Sequence, residues 1–188
     1  HLRIIVCQED SDIIGAFASL CSALTALDRS HASTAGIAAS PRRGALTVSP
    51  ANLGTGMRIC LTLRLPHLGK DATALEAVCS QLLRQAANTA ALVSPAADQR
   101  GTPGHFWEVS TKASVGVSEV MLIQGAIYLT IKLAELEERL ASGQTLLQAM
   151  TPPPPGDAAP IQLAAAARTS ASLQTLQTLR LSGRPLNV

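Results

Sequence analysis

Arginines beside glycine-bearing turns are the residues of this sequence best suited to chemistry. Arg58 follows Gly54-Thr55-Gly56-Met57, Arg100 precedes Gly101-Thr102, and Arg3 lies in a short apolar stretch at residues 2–7. A guanidinium stays charged and presents a planar fork of donors that matches phosphate oxygens. Ser49, just ahead of Pro50, invites the reading of a nucleophile, but a serine hydroxyl needs a neighbouring base. No His and Asp are placed to activate it, so Ser49 reads as a loop serine.

The elements that would carry these residues follow from periodicity. Residues 2–7 alternate as a strand with Arg3, Ile5 and Cys7 on one face and Leu2, Ile4 and Val6 on the other. Residues 12–29 place Ile13, Phe17, Leu20, Leu24 and Leu27 at helical spacing, with Ser11 as the expected cap. A Ser, Ala and Gly connector spans residues 30–44. Residues 57–65 give the clearest strand, with Met57, Ile59, Leu61, Leu63 and Leu65 on a buried face and Arg58, Cys60, Thr62 and Arg64 opposite. Helices are expected over residues 72–91 and 118–141, the second capped by Ser118, begun by Glu119 and stopped by Gly143. Strand, helix, strands, helix, strand, helix is an α+β order.

Composition narrows the classes. The chain has 188 residues, enough for one core plus a tail, and its aromatic content of 2% makes packing depend on Leu, Ile, Val and Ala. A net charge of +2 without a basic stripe argues against nucleic acid. No apolar run approaches the roughly twenty residues of a membrane span, and residues 1–10 lack the pattern of a secretory signal. Cys7, Cys21, Cys60 and Cys79 lack zinc-site spacing and sit in apolar periodic stretches, so buried free thiols and a reducing, cytoplasmic location are expected. His31, His67 and His105 are isolated and read as structural or exposed rather than metal ligands.

The stretch Ser49-Pro50-Ala51-Asn52-Leu53-Gly54-Thr55-Gly56-Met57-Arg58 resembles the creatine kinase signature Cys-Pro-Ser-Asn-Leu-Gly-Thr-Gly-Leu-Arg. Further segments resemble the same family in the same order. They are His1-Leu2-Arg3-Ile4, Arg100-Gly101-Thr102-Pro103-Gly104, Trp107-Glu108-Val109-Ser110, Gly116-Val117-Ser118-Glu119-Val120, and Leu136-Glu137-Glu138-Arg139-Leu140 with Gly143-Gln144 and Met150-Thr151-Pro152. The resemblance covers residues 1–152, and Gly56 with Gly143-Gln144 fits the creatine kinase branch better than the arginine kinase branch. It implies the carboxyl-terminal half of a phosphagen kinase catalytic domain, a partial antiparallel sheet flanked by helices.

By that resemblance, Arg3, Arg58, Arg100 and Glu108 are expected to bind nucleotide, with ATP and Mg²⁺ as the ligands of an active form. Ser49 stands where the family has its reactive cysteine and is expected to be catalytically inactive there, because its hydroxyl stays neutral at pH 7. Ala51 removes a neighbouring hydroxyl, and Ser114 replaces the family's adenine-side arginine. Lys112, two residues from it, reads as a solvated side chain. Only His105 and Phe106 separate Gly104 from Trp107, where the family carries a longer closing loop. The expectation is therefore a creatine-kinase-like protein that is catalytically degenerate, keeps a remnant ATP-phosphate site, and serves a binding or structural role. A homo- or hetero-oligomer covering the open sheet edge would suit that role. The alternative is an active creatine or other phosphagen kinase, seen as part of a longer chain that supplies the guanidino-positioning carboxylate and further arginines. That the sequence opens on His1 rather than Met motivates it.

Three units are expected: a half-domain at residues 1–152, a Pro-rich linker at 153–160 and an Ala/Leu-rich tail at 161–188. Pro152-Pro153-Pro154-Pro155 extends without needing a partner. Leu163, Leu173, Leu176, Leu179 and Leu181 read as a weak amphipathic helix in the tail.

Overall fold

Alternation of apolar and polar residues between Met57 and Leu65 produces the strand at the centre of the molecule. The computed structural model describes residues 3–9, 12–30, 38–46, 50–87, 89–97, 103–112, 115–150 and 176–182. Its elements in chain order are β1 (Ile5–Gln8), α1 (Ile13–Ser30), β2 (Ala39–Ser40), β3 (Gly44–Ala45), β4 (Arg58–Arg64), α2 (Ala72–Ala87), β5 (Ala91–Ala97), β6 (Pro103–Thr111), α3 (Glu119–Ala141), α4 (Leu146–Met150) and β7 (Leu176–Ser182). The main sheet has five antiparallel strands in the order β1-β7-β4-β6-β5, and β2 and β3 form a separate small hairpin. The α+β class holds.

Among the described residues, the helices cover one face of the sheet. Met57, Ile59, Leu61, Leu63 and Leu65 are all buried, while Arg58 and Arg64 are exposed and Cys60 and Thr62 half-buried. β6 follows the same phase, with Val109 and Thr111 buried opposite Leu61 and near Ile59. Helices α1, α2 and α3 supply Ile13, Ala16, Leu20, Leu75, Leu83, Leu122, Leu129 and Leu133 to one core with these strands. Among the described residues the ten largest fully buried side chains are all Leu or Ile, so aliphatic packing replaces the missing rings.

Helix termini are set by local chemistry. Ser118 caps α3, its hydroxyl accepting the Met121 N–H at 3.2 Å. Gly143, at φ 90°, ends it; the Gly143 and Gln144 N–H groups donate back to the Leu140 and Arg139 carbonyls. At α1 the described cap is Asp12, whose carboxylate accepts the Gly15 N–H at 2.9 Å; Ser11 lies outside the described residues. Aspartate is as good a cap as serine, and it stands directly against the first helical residue.

Three expectations are corrected. Helix α2 ends at Ala87 rather than 91, because Ala91 already belongs to β5, which pairs with β6 as a second hairpin between α2 and α3. The Val93-Ser94-Pro95 sequence favours extended backbone, and Pro95 sits on an edge strand where a missing N–H is tolerated. None of the four cysteines forms a disulfide, but Cys7 and Cys21 are exposed and Cys60 is half-buried; only Cys79 is buried. Cys7 falls in the outward row of β1 and Cys21 on the solvent side of α1, so an apolar neighbourhood in sequence did not mean burial. The tail expectation covered residues 161–181, of which 176–181 are described, and these form strand rather than helix. Leucines three apart fit a helix, but Leu179 and Leu181 also alternate with Thr178, Arg180 and Ser182. Pairing with two strands decided the outcome. The 153–160 linker lies outside the described residues.

Candidate functional site

The open face of the sheet collects the polar rows of its strands. Along residues 3–8, which lead into and form β1, the exposure alternates, with Arg3, Ile5 and Cys7 outward and Ile4, Val6 and Gln8 half-buried. In β4 the outward row is Arg58, Cys60, Thr62 and Arg64. In β6 it is Phe106, Glu108 and Ser110, which stand opposite Arg64, Thr62 and Cys60. Ser94 of β5 lies opposite Glu108 from the other side, so Glu108 is flanked by two hydroxyl side chains. Sequence periodicity placed Thr62 on this face; Ser94 and Ser110 were missed, since only the register between strands brings them beside Glu108 and Cys60.

The signature turn positions Arg58. Gly54 and Gly56 take φ of 94° and 62°, backbone that favours glycine, and between them Thr55 is buried with its hydroxyl accepting the Met57 N–H at 3.2 Å. Gly44 at the head of β3 bridges to Gly54, and a Cβ at Gly44 would collide with the Gly54 carbonyl oxygen. The hairpin β2–β3 is thereby held against the turn. On leaving it, the Ile59 N–H donates to the buried Thr111 hydroxyl at 3.2 Å, which ties the start of β4 to the end of β6. Arg58, one residue earlier, is left at the sheet margin with its side chain exposed.

Arg3 comes to the same margin. Ile5 and Arg58 are both opposite Ser182 of β7, and β1 runs in the same direction as β4. Arg3 lies two residues ahead of Ile5, towards the end at which Arg58 enters β4, and its backbone is roughly 12 Å from that of Arg58 by ordinary strand spacings. Two side chains as long as arginine can meet on one anion across that gap. Among the described residues the salt bridge present is Lys132–Glu135 at 2.7 Å on α3, and it involves neither arginine. Glu108 is on the same face but four positions along β4, about 13 Å from Arg58 measured along the strand. Arg100, Ser49 and Ser114 lie outside the described residues, as do the side chain of Ala51 and residue His31.

The closing loop is not a loop here. Pro103–Thr111 is one continuous strand, and His105 and Phe106 stand within it. The Leu65 N–H donates to the His105 carbonyl at 2.7 Å, and Phe106 pairs with both Arg64 and Ala96. His67 and His105 are exposed, and no three His, Cys, Asp or Glu side chains among the described residues come together as a metal group. No helix among the described residues is long and apolar enough to cross a membrane.

The family model for the ATP:guanido phosphotransferase C-terminal catalytic domain matches residues 1–140. An arginine kinase of Anthopleura japonica is 30% identical over 138 residues, which are 73% of this chain and 18% of that protein. The creatine kinase B-type of Gallus gallus is 31% identical over 147 residues, 78% of this chain and 37% of that protein. Those two identities do not separate the creatine kinase branch from the arginine kinase branch. A crystal structure of lombricine kinase superposes with a TM-score of 0.58 at 20% identity, covering 73% of this chain and 36% of that one. The chain thus spans well under half the length of these relatives.

Proposed function

We propose that this chain, which belongs to the ATP:guanido phosphotransferase family, holds the phosphates of a nucleotide such as ATP at the Arg3–Arg58 margin of its open sheet face and transfers phosphate poorly or not at all. The observation that carries the reading is the placement of Arg58: exposed, at the exit of the Gly54-Thr55-Gly56 turn, near the end of the sheet where a second exposed arginine, Arg3, precedes β1. Two guanidinium groups at one end of an antiparallel sheet suit a clamp for polyphosphate. By resemblance Arg100 would join them, and Glu108 would contact the nucleotide from the row flanked by Thr62 and Ser94. Where Mg²⁺ is present, the nucleotide's own oxygens would carry most of its coordination, as this cation prefers. It would neutralise phosphate charge there.

Loss of transfer is the second half of the proposal. Ser49 offers a neutral hydroxyl where the family keeps a reactive cysteine, and nothing in the sequence supplies a base for it. Phosphoryl transfer also needs water kept out while the substrates are aligned. His105 and Phe106, bound into β6, leave no slack between Gly104 and Trp107 for a lid. A binding or structural role, within an assembly that covers the β1 or β5 edge of the sheet, suits such a protein. The other reading, an active kinase completed by a longer chain, draws on the relatives, which bear the names of arginine and creatine kinases and of which this chain spans a minor part.

Isothermal titration of the folded chain with MgATP, beside Arg58→Ala and followed by an assay of creatine-dependent ADP release, separates the readings. Binding weakened at least about tenfold by Arg58→Ala, with no ADP release, is the expected result. Folded protein with no heat of binding would remove the nucleotide site. Steady ADP release would favour the active kinase.

A further inference from the structure

Strands β1 and β4 both lie within the family-matched residues, yet they do not pair with each other. The strand that joins them, β7, comes from residues 176–182, outside the match. We propose that this segment is a built-in donor strand, filling in its own chain a strand-acceptor slot between β1 and β4.

The register is continuous on both sides. Ile5, Val6, Cys7 and Gln8 stand opposite Ser182, Leu181, Arg180 and Leu179, and Arg58, Ile59, Cys60 and Leu61 stand opposite the same four residues. Two neighbouring strand spacings leave about 10 Å between β1 and β4, the room for one extended strand and no more. Helix α1 packs across both β1 and β7, so the slot has a floor as well as two walls. With β7 withdrawn, the ladder groups of β4 facing the slot would lose their partners beside a buried aliphatic row, a costly arrangement. The molecule would also gain a flat open edge of the kind that templates pairing with other chains. The single irregularity, a register shift between Thr62 and Leu63, falls at the far end of the strand, where the tail enters. The 151–175 stretch is ample to reach the slot in cis, since an extended chain covers about 3.3 Å per residue.

The occupant is the chain's own segment. An extended segment of a second copy could reach the same slot by exchange, and an unrelated strand could do so by augmentation. None of this depends on nucleotide binding.

Arg180→Cys tests the register directly. It puts a thiol opposite Cys60 on one side and Cys7 on the other, at the roughly 4.5–5.5 Å Cα separation of facing antiparallel residues, which a disulfide accepts. Under mild oxidation of the full chain, a disulfide from position 180 to Cys60 or Cys7 within one monomer is expected. It should form at least about tenfold faster than any bond from a control thiol introduced by Ala166→Cys. No such bond, an equal rate for the control, or bonds only between chains would overturn the proposal. A second measurement does not need the thiols. Leu179→Pro should raise amide exchange in residues 58–63 at least about tenfold and leave the β5–β6 hairpin unchanged. Unchanged exchange in residues 58–63 would equally overturn it.

Discussion

The Glu137 carboxylate accepts the Leu68 N–H at 3.0 Å, and its other oxygen accepts the His67 N–H at 2.5 Å. Glu137 is buried on α3, and Leu68 opens the short turn that follows β4, so one side chain fastens the longest helix to the exit of the central strand. Both amides would otherwise be left without a partner at the edge of the core. Glu137→Ala removes two charge-assisted hydrogen bonds and leaves two donors facing a cavity, which should cost about 3 kcal/mol. Glu137→Gln restores volume and one acceptor but turns an NH₂ group towards an amide donor, so it should recover only part of the loss. Urea titration of the three proteins checks the order; a Gln variant as stable as the parent would mean that the carboxylate's second bond contributes nothing.

Gly125→Ala sets helix propensity against packing. Replacing glycine inside a helix normally stabilises by about 1 kcal/mol. A Cβ at Gly125, however, would stand 2.6 Å from the Cβ of Ala87 on the facing helix α2. Separating two helices packed on a shared aliphatic core costs typically 1–3 kcal/mol. Packing should win, leaving the variant less stable by about 1 kcal/mol. Thermal unfolding that rises instead of falling would show that Ala87, near the end of α2, moves aside cheaply.

The sequence reading recovered the central strand because Met57 to Leu65 alternate without a break, and α3 because Ser118 and Gly143 mark both ends. Glu137 was not legible as a buried residue. It stands in Leu136-Glu137-Glu138-Arg139, which reads as a charged helix surface, and its partners lie far away in the chain. The β5 strand was partly absorbed into the preceding helix because Ala-rich sequence is compatible with both states. Residues 176–182 were misread for a related reason: their leucines satisfy both helical and strand periods, and only the empty place between β1 and β4 distinguishes them. Of the candidate site, alternation alone put Arg58 on the row opposite the buried one; for Arg3 it gave the face shared with Ile5 and Cys7 but not which face of that strand is outward. Their common margin required the register through β7.

Arg58 and Arg64 offer an internal comparison, since both are exposed on the same face of β4 about 20 Å apart along the strand. If phosphate is held at the Gly54–Gly56 end, Arg58→Ala weakens MgATP binding at least about tenfold while Arg64→Ala leaves it within about twofold. Neither should shift unfolding by more than about 0.5 kcal/mol, as expected for surface positions. Equal losses from the two variants would indicate general attraction to positive charge rather than a site.

Thiol reactivity should divide the four cysteines by their surroundings. Burial pushes the Cys79 thiol up from its ordinary value of 9.0 to about 12, because the thiolate would lose its water inside the core. Cys7 and Cys21 are exposed and Cys60 half-buried. Iodoacetamide at pH 8 should modify Cys7 and Cys21 first and Cys60 more slowly. Cys79 should react only through unfolding, its thiolate fraction being on the order of a thousandfold lower. The same shift fixes a pH dependence. A raised pKa in the folded state means that the Cys79 contribution is fully present below the unfolded value near 9.0 and declines as pH climbs towards 12. Cys79→Ala should therefore flatten the fall in stability across that alkaline window while lowering stability only modestly at pH 7, where the thiol is neutral in both states. Peptide mapping after labelling, together with unfolding measured at pH 7 and pH 10, decides the matter. Native-state labelling of Cys79 at the rate of Cys21 would mean that α2 opens to solvent at this point.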